Sequence, residues 1–272
     1  MFKYIGIRGH RGAGKNTIGY LLGTAIEFYL QHESWDGFDE VYNRAVDKVI
    51  VEGAESLPEY DFKRVYLESF ADTAKVTLAQ ILGVPTDWMY NDWVKEATIF
   101  DIENFSYRRA QNKLDLHAML KDCGDDLFDA ESLYKAMLEG NIFLTHKHVY
   151  LTLRELISYY SKCVMQKFFG RSVWVKSQEN TRWEIEKFYA SNKTIYKIFV
   201  DCKFPTEISY IYKNNGKIVK VNRTNNTKDN TNISEALADD NRFDFEVNLN
   251  GDLLNPDTIA TIKDITTKIL SE

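Results

Sequence analysis

The sequence predicts an α/β fold, a mostly parallel sheet with helices on both faces. Three observations carry this. Phe2–Arg8 is a short apolar run with Ile5 and Ile7 as its clearest members, and a glycine cluster and a helix follow it. Val65–Phe70, Ile195–Val200 and Lys217–Val221 read as further strands. Amphipathic helical stretches lie between them, and strands alternating with helices argue for a parallel sheet.

Element by element, the first helix begins near Asn16. Its apolar positions Ile18, Leu21, Leu22, Ala25, Ile26 and Tyr29 recur every three or four residues, so one face packs on a core. Residues 33–60 show no clean period and are punctuated by Gly37, Gly53 and Pro58. A helix runs from Asp72 through Val76, Leu78, Ala79, Ile81 and Leu82, and Gly83 stops it. Residues 90–148 read as mostly helical, with breaks near Gly124 and Gly140. Thr152 and Glu155 form a capping box, and Leu153, Leu156, Ile157, Tyr160, Val164 and Phe168 share one face of a helix that ends at Gly170. The run Val173-Trp174-Val175 leads into a charged helix. Asn214-Asn215-Gly216 is a turn, residues 224–232 form a polar loop, and Asn255-Pro256 caps a last helix with Ile259, Ile262, Ile265 and Ile269 on one side. The reading is one domain: a core of residues 1–30, 62–90 and 150–272, with a helical insertion at about 91–149.

Composition narrows the class. The chain has 272 residues, 44% apolar and 27% charged, with a net charge of −6. An acidic chain lacks the field of Lys and Arg that general nucleic-acid binding rests on. Cys123, Cys163 and Cys202 are far apart and odd in number, which fits a reducing, cytoplasmic setting and neither a disulfide framework nor a zinc knuckle. Met1–Ile7 has no long apolar run, and no stretch reaches the roughly 18–20 apolar residues of a membrane span. The 16 Tyr and 16 Phe read as core and surface packing before any base-stacking platform. A homodimer is compatible with the sequence.

The chemistry is concentrated in Gly9-His10-Arg11-Gly12-Ala13-Gly14-Lys15-Asn16-Thr17, which fits G-x-x-x-x-G-K with the hydroxyl one place late. Glycines let the backbone turn successive N–H groups inward onto phosphate oxygens, and the helix that starts there presents its positive end to the same anion. Lys15 supplies a point charge to the β- and γ-phosphates, Arg11 a second cation, and Thr17 an oxygen for Mg²⁺. A strand, this loop and a helix in sequence predict a P-loop NTPase fold that binds ATP. Arg223 precedes the polar loop and reads as a lid arginine over ATP or as a solvated strand-end charge. Asp201 ends an apolar strand, where P-loop proteins keep a magnesium-ordering carboxylate. His146 and His148 alternate but have no acidic or cysteine ligand nearby, and Asp125-Asp126 and Asp239-Asp240 read as solvated faces.

Several segments together resemble the bacteriophage deoxynucleoside monophosphate kinases, within the wider P-loop nucleoside monophosphate kinases. Gly-Lys-Asn-Thr at 14–17 is similar to that family's Gly-Lys-Asp-Thr. Ser69-Phe70-Ala71, Lys75 and Ile81-Leu82-Gly83 resemble its second strand and following helix. Thr152-Leu153-Arg154-Glu155-Leu156, Phe169-Gly170 and Trp174-Val175 resemble its Arg-Glu-Leu helix and Trp-Val. Asp201-Cys202-Lys203-Phe204-Pro205-Thr206-Glu207 is similar to its Asp-Val-Arg-Phe-Pro-Asn-Glu, and Gly216, Arg223, Ser234-Glu235 and Asn248-Leu249-Asn250-Gly251 follow in order. Three departures stand out: Lys203 replaces an arginine, Asn232 stands where a histidine is common, and residues 90–150 hold an unmatched insertion.

The resemblance implies transfer of the γ-phosphate of ATP to a deoxynucleoside 5′-monophosphate (dNMP), with Mg²⁺. Donor contacts would come from Gly9, Gly12, Ala13, Gly14, Lys15, Asn16, Thr17 and Arg223. Lys75 and Arg154 would hold the acceptor phosphate beside Arg11, with Lys15, Arg11 and Arg154 as the catalytic cations. Arg154 sits in the first turn of its helix, where the dipole disfavours a cation; an anionic partner or a salt bridge with a glutamate explains it. Trp174 would wall the acceptor base, with a core tryptophan as the competing reading. Asp201, Lys203 and Glu207 would contact the acceptor nucleoside, Asp201 serving magnesium or the acceptor.

Overall fold

The computed structural model describes residues 1–10, 12–53, 62–139, 149–170, 172–179, 193–223, 242–249 and 253–271. Arg11, Pro58, Gly140, the His146-Lys147-His148 run, the polar tract 224–232 with Asn232, Ser234-Glu235, Asp239-Asp240 and Asn250-Gly251 lie outside the described residues. The chain divides into two compact units: Met1–Phe70 with Val175–Glu272, and Ala71–Trp174.

The first unit is built on a five-stranded sheet. Its strands, numbered along the chain, are β1 (Phe2–Arg8), β2 (Val65–Glu68), β6 (Ile195–Phe199), β7 (Lys217–Arg223) and β8 (Phe245–Leu249), in the order β2-β6-β1-β7-β8. Every neighbouring pair is parallel. All five C-terminal ends therefore lie along one edge, with β1 in the middle. The crevice beyond the carboxyl ends of such strands is where open α/β sheets place ligands.

Both faces are covered, which is why β6 is buried along its whole length. On one face Ile5, Ile7, Ile198, Val219 and Val247 join a cluster with Ile18, Leu21, Leu22 and Ile26 of α1 (Lys15–His32) and Ile262, Ile265 and Ile269 of α9 (Pro256–Ser271). On the other lies α8 (Pro205–Lys213), whose Tyr210 meets the Tyr4 ring edge-on at 5.7 Å. Gly6 faces this helix closely: a Cβ there would sit 3.3 Å from Ile211 Cγ1 and 2.6 Å from Ile218 Cδ1. The α/β expectation of a mostly parallel sheet flanked by helices is met.

Two elements of this unit were not legible. Residues 38–52 form α2 (Phe38–Glu52), which buries Phe38, Tyr42, Ala45, Val46 and Val49. Its helical period is blurred in sequence because Ile50 and Val51 are apolar yet exposed. Strand β8 alternates buried Val247 and Leu249 with exposed Glu246 and Asn248, too short a run to stand out.

The second unit holds a three-stranded antiparallel sheet, β4 (Ser106–Arg109), β3 (Thr98–Asp101) and β5 (Tyr150–Thr152). Its helices are α3 (Asp72–Leu82), α4 (Asp92–Ala97), α5 (Lys113–Cys123), α6 (Ala130–Leu138) and α7 (Leu153–Tyr159). Helices take the larger share of the described residues in 90–148, as expected, with a break at Gly124; the β3–β4 pair is the part that expectation lacked. β3 is buried at three consecutive positions and β4 is exposed throughout, so neither shows alternation. Beyond α7 the helical path continues through a π-helix, Tyr160–Gln166, and stops at Gly170, whose φ is 83°. The capping box forms: Glu155 N donates to Thr152 Oγ1 at 3.3 Å and Thr152 N donates to Glu155 Oε2 at 2.8 Å. Residues 173–179 are helical, so Trp174 already lies in the helix that the sequence starts after it.

Gly216 packs where no side chain fits. A Cβ would sit 2.5 Å from Tyr4 O and 2.9 Å from Ile211 O, both backbone atoms that cannot swing away. Gly216→Ala is expected to destabilise the chain by about 2 kcal/mol, the range of overpacking in a core. Chemical denaturation checks this; an unchanged midpoint contradicts the packing.

Candidate functional site

The loop between β1 and α1 is held by its glycines. Gly9, Gly12 and Gly14 have φ of 153°, 74° and 89°, a region that other residues adopt rarely. At Gly9 a Cβ would lie 2.4 Å from the carbonyl oxygen of Val221 on β7, so only glycine lets the loop pass there. Ala13 N donates to His10 O at 3.1 Å, closing a turn inside the loop, and the Ala13 methyl is buried.

Lys15 folds back over this turn. Its Nζ donates to Gly9 O and His10 O, each at 2.9 Å. Helix α1 begins here with Ile18 N donating to Gly14 O at 2.9 Å. Its N-cap, Gly14, has no side chain to cap the helix, and its first turn carries no acidic residue. The positive helix end is thus left to backbone N–H groups. Asn16 and Thr17 are half-buried in that turn. Arg223, exposed at the end of β7, donates from Nη1 to Gly12 O at 3.4 Å. Arg11 lies outside the described residues.

The segment after β6 lies on the same sheet edge. Cys202 N donates to Ile7 O at 3.0 Å, which fastens it beside β1. Lys203 Nζ is 3.0 Å from Asp201 Oδ1. Glu207 is turned inward: it is 4% exposed, and its Oε2 accepts from Lys203 N at 2.7 Å and Phe204 N at 2.8 Å. Burial pushes its carboxyl up to about 7, against the two backbone hydrogen bonds that favour the ionised form. Arg8, at the end of β1, is also buried and donates from Nη1 to Arg242 O at 3.2 Å. An arginine closing an apolar strand just before the loop was its only signal in sequence.

The remaining three residues belong to the second unit. Lys75 on α3 is 3.6 Å from Asp72 Oδ1, and its Nζ lies 4.3 Å from the centre of the Tyr90 ring. Arg154, in the first turn of α7, pairs with two carboxylates of α4: Nη2 with Asp92 Oδ1 at 2.6 Å, and Nε with Glu96. The salt bridge weighed for Arg154 is present, with an aspartate added. Lys95 Nζ also holds Asp92, at 2.8 Å. Burial alone would raise the Asp92 carboxyl, but hydrogen bonds from Lys95 and Arg154 and the charge of both hold it down to about 2. Trp174 is 3% exposed. Tyr90, Asp92 and Glu96 escaped the sequence reading because an acid pair four residues apart on a short helix looks like a solvated face.

The structure thus brings together, in the first unit, the glycine loop with Lys15, Asn16, Thr17 and Arg223, and sets Asp201 and Lys203 on the same sheet edge. In the second it joins Lys75 and Arg154 to one short segment, Tyr90–Glu96. Among the described residues no group of three or more His, Cys, Asp or Glu is placed to hold a metal ion. Of the two residues expected to serve Mg²⁺, Thr17 is half-buried in the first turn of α1 and the Asp201 carboxylate is paired with Lys203. Among the described residues no helix is long and apolar enough to cross a membrane. Comparison with family models finds no match, and comparison with curated proteins finds none.

Glu207 generates a pH prediction. Its folded value is raised above the ordinary 4.5, so the folded chain binds the proton more tightly. This group's contribution to stability is fully present below about pH 4.5 and is lost as the pH rises through about 7. Glu207→Gln keeps an oxygen for the two backbone donors and removes the titration. Its melting temperature is expected to fall less between pH 5 and 8 than that of the parent chain. Parallel profiles contradict the inward, proton-retaining carboxyl.

Proposed function

We propose that the chain is a P-loop kinase that transfers the γ-phosphate of ATP to a dNMP, giving ADP and the deoxynucleoside diphosphate. The observation that carries the reading is the glycine loop at the carboxyl end of the central strand. Three positive-φ glycines, a bare helix start and Lys15 folded on the loop carbonyls make a cradle for phosphate oxygens. The hydroxyl at Thr17, two places after Lys15, is similar to the monophosphate kinases, whereas switch GTPases carry it directly after the lysine.

Phosphoryl transfer asks for alignment and positive charge rather than covalent chemistry. An acceptor phosphate oxygen bonds to the γ-phosphorus as the bridge to the β-phosphate breaks, and ADP leaves with that electron pair. In this reading Lys15 moves from the loop carbonyls onto the β- and γ-phosphates, and Arg11 and Arg223 add charge on the donor side. Mg²⁺, held through Thr17 and Asp201, would neutralise charge on the phosphate oxygens. Lys75 and Arg154 take the acceptor phosphate. Trp174 is proposed as a wall of the base pocket; its burial suits a wall that packs rather than one that moves. As the resemblance implies, Asp201 and Lys203 would contact the acceptor nucleoside, with Glu207 holding the backbone of residues 203 and 204. A cytoplasmic setting fits the three free cysteines.

Two rivals share the loop: a small-molecule kinase with another acceptor, and an ATP-dependent switch. A coupled assay of ADP release over a full panel of dNMPs separates them. At least one dNMP is expected to raise ADP production well above background, and Lys15→Ala to lower it by about a thousandfold. No response to any dNMP defeats the acceptor assignment; unchanged turnover in Lys15→Ala defeats the ATP site.

A further inference from the structure

The two cations read as acceptor-phosphate ligands are tethered to one segment, and in different ways. Lys75 rests on an aromatic face, the Tyr90 ring, at 4.3 Å, with the Asp72 carboxylate, one turn back on its own helix, 3.6 Å from Nζ. An aromatic ring holds an ammonium without cancelling its charge or occupying all its N–H donors. Arg154 is engaged by two carboxylates, Asp92 on Nη2 and Glu96 on Nε. A phosphate approaching Arg154 must therefore compete with an anion already there.

The two carboxylates are not equivalent. Asp92 is pinned: it opens α4 directly after its N-cap Asn91, whose side chain accepts from Val94 N at 3.0 Å. It is also bonded at 2.8 Å to Lys95, whose own side chain is 10% exposed. Releasing Asp92 would break two ion pairs at once, those to Lys95 and to Arg154. Glu96 lies one turn later on a longer side chain; exposure does not separate the two, at 44% for Glu96 and 67% for Asp92.

We infer that Asp92 is the positioning residue that orients Arg154, and that Glu96 is a gate the acceptor phosphate displaces from the guanidinium. The inference rests on reading Arg154 as a ligand of the acceptor phosphate. With phosphate bound, Arg154 keeps Nη2 on Asp92 and turns its Nε edge from Glu96 to a phosphate oxygen, while Lys75 stays on Tyr90 and donates to the same group. Longer polyphosphates, with more negative charge beside Asp92 and Glu96, are disfavoured.

The two isosteric amides have opposite expected effects. Inorganic phosphate and each of the four common dNMPs are titrated calorimetrically into the full chain, its Asp92→Asn variant and its Glu96→Gln variant. Asp92→Asn is expected to weaken phosphate or dNMP binding about tenfold, because Arg154 loses its orienting partner. Glu96→Gln is expected to tighten it about threefold or more, because the competing anion is gone. A merely structural pair would weaken binding in both variants. Shifts in the same direction, or none in either, overturn the inference. If the parent chain binds these anions with the opposite shifts but phosphorylates no dNMP, the kinase reading falls and this one stands. If it phosphorylates dNMPs and neither variant alters their binding, this one alone falls. A chain that binds neither phosphate nor any dNMP overturns both.

Discussion

The first unit is organised around a close approach between two backbones. The chain leaves the middle strand of a parallel sheet and must enter a helix on one face within a few residues. It passes so near β7 that a single methyl at Gly9 would collide with the Val221 carbonyl oxygen. The positive φ values at Gly12 and Gly14 complete the reversal. Because the loop is short and pressed against the sheet, α1 starts at a fixed place with its first N–H groups directed past the strand ends. A looser connection would need no glycine there and would leave the helix start undefined.

The same constraint arranges the charges around it. Parallel pairing delivers Arg223, Asp201 and Lys203 to the edge where the loop sits. Arg223 reaches Gly12 O, and Lys15 bends over the carbonyls of Gly9 and His10. These are internal bonds from cations to neutral oxygens, weaker than what a phosphate offers the same groups. The bonds to the loop carbonyls hold these cations in place and do not themselves neutralise them. The second unit follows a contrasting rule. Arg154 is matched by two full negative charges, and Lys75 is held by the Tyr90 ring and the Asp72 carboxylate. An arginine matched in this way needs an anion of higher charge before it changes partners.

How much of this was readable follows from the range of each signal. The glycine loop, the capping box at Thr152 and the stop at Gly83 are local: backbone geometry within a few residues demands those residue types. They were legible, as was the alternation of strands and helices. Helix α2 was not, because exposed Ile50 and Val51 break its apolar stripe. The β3–β4 pair was not, because its strands are four residues each and neither alternates. In the candidate site, residue types were legible and partnerships were not. Nothing in the sequence says that Asp92, sixty-two positions before Arg154, closes on it. Nor does it say that Glu207 turns inward to hold the backbone of residues 203 and 204. Such pairings depend on how distant segments pack.

The central claim, that the Gly9–Thr17 loop is a phosphate cradle, is tested most directly by amide chemical shifts. A ¹⁵N-labelled sample of the full chain is titrated with ATP and Mg²⁺. If the loop cradles the triphosphate, the Gly12, Ala13, Gly14 and Lys15 amides shift most and saturate together, because their N–H groups bond the phosphates. Saturable shifts confined to other parts of the chain, with these four amides unmoved, would contradict the account.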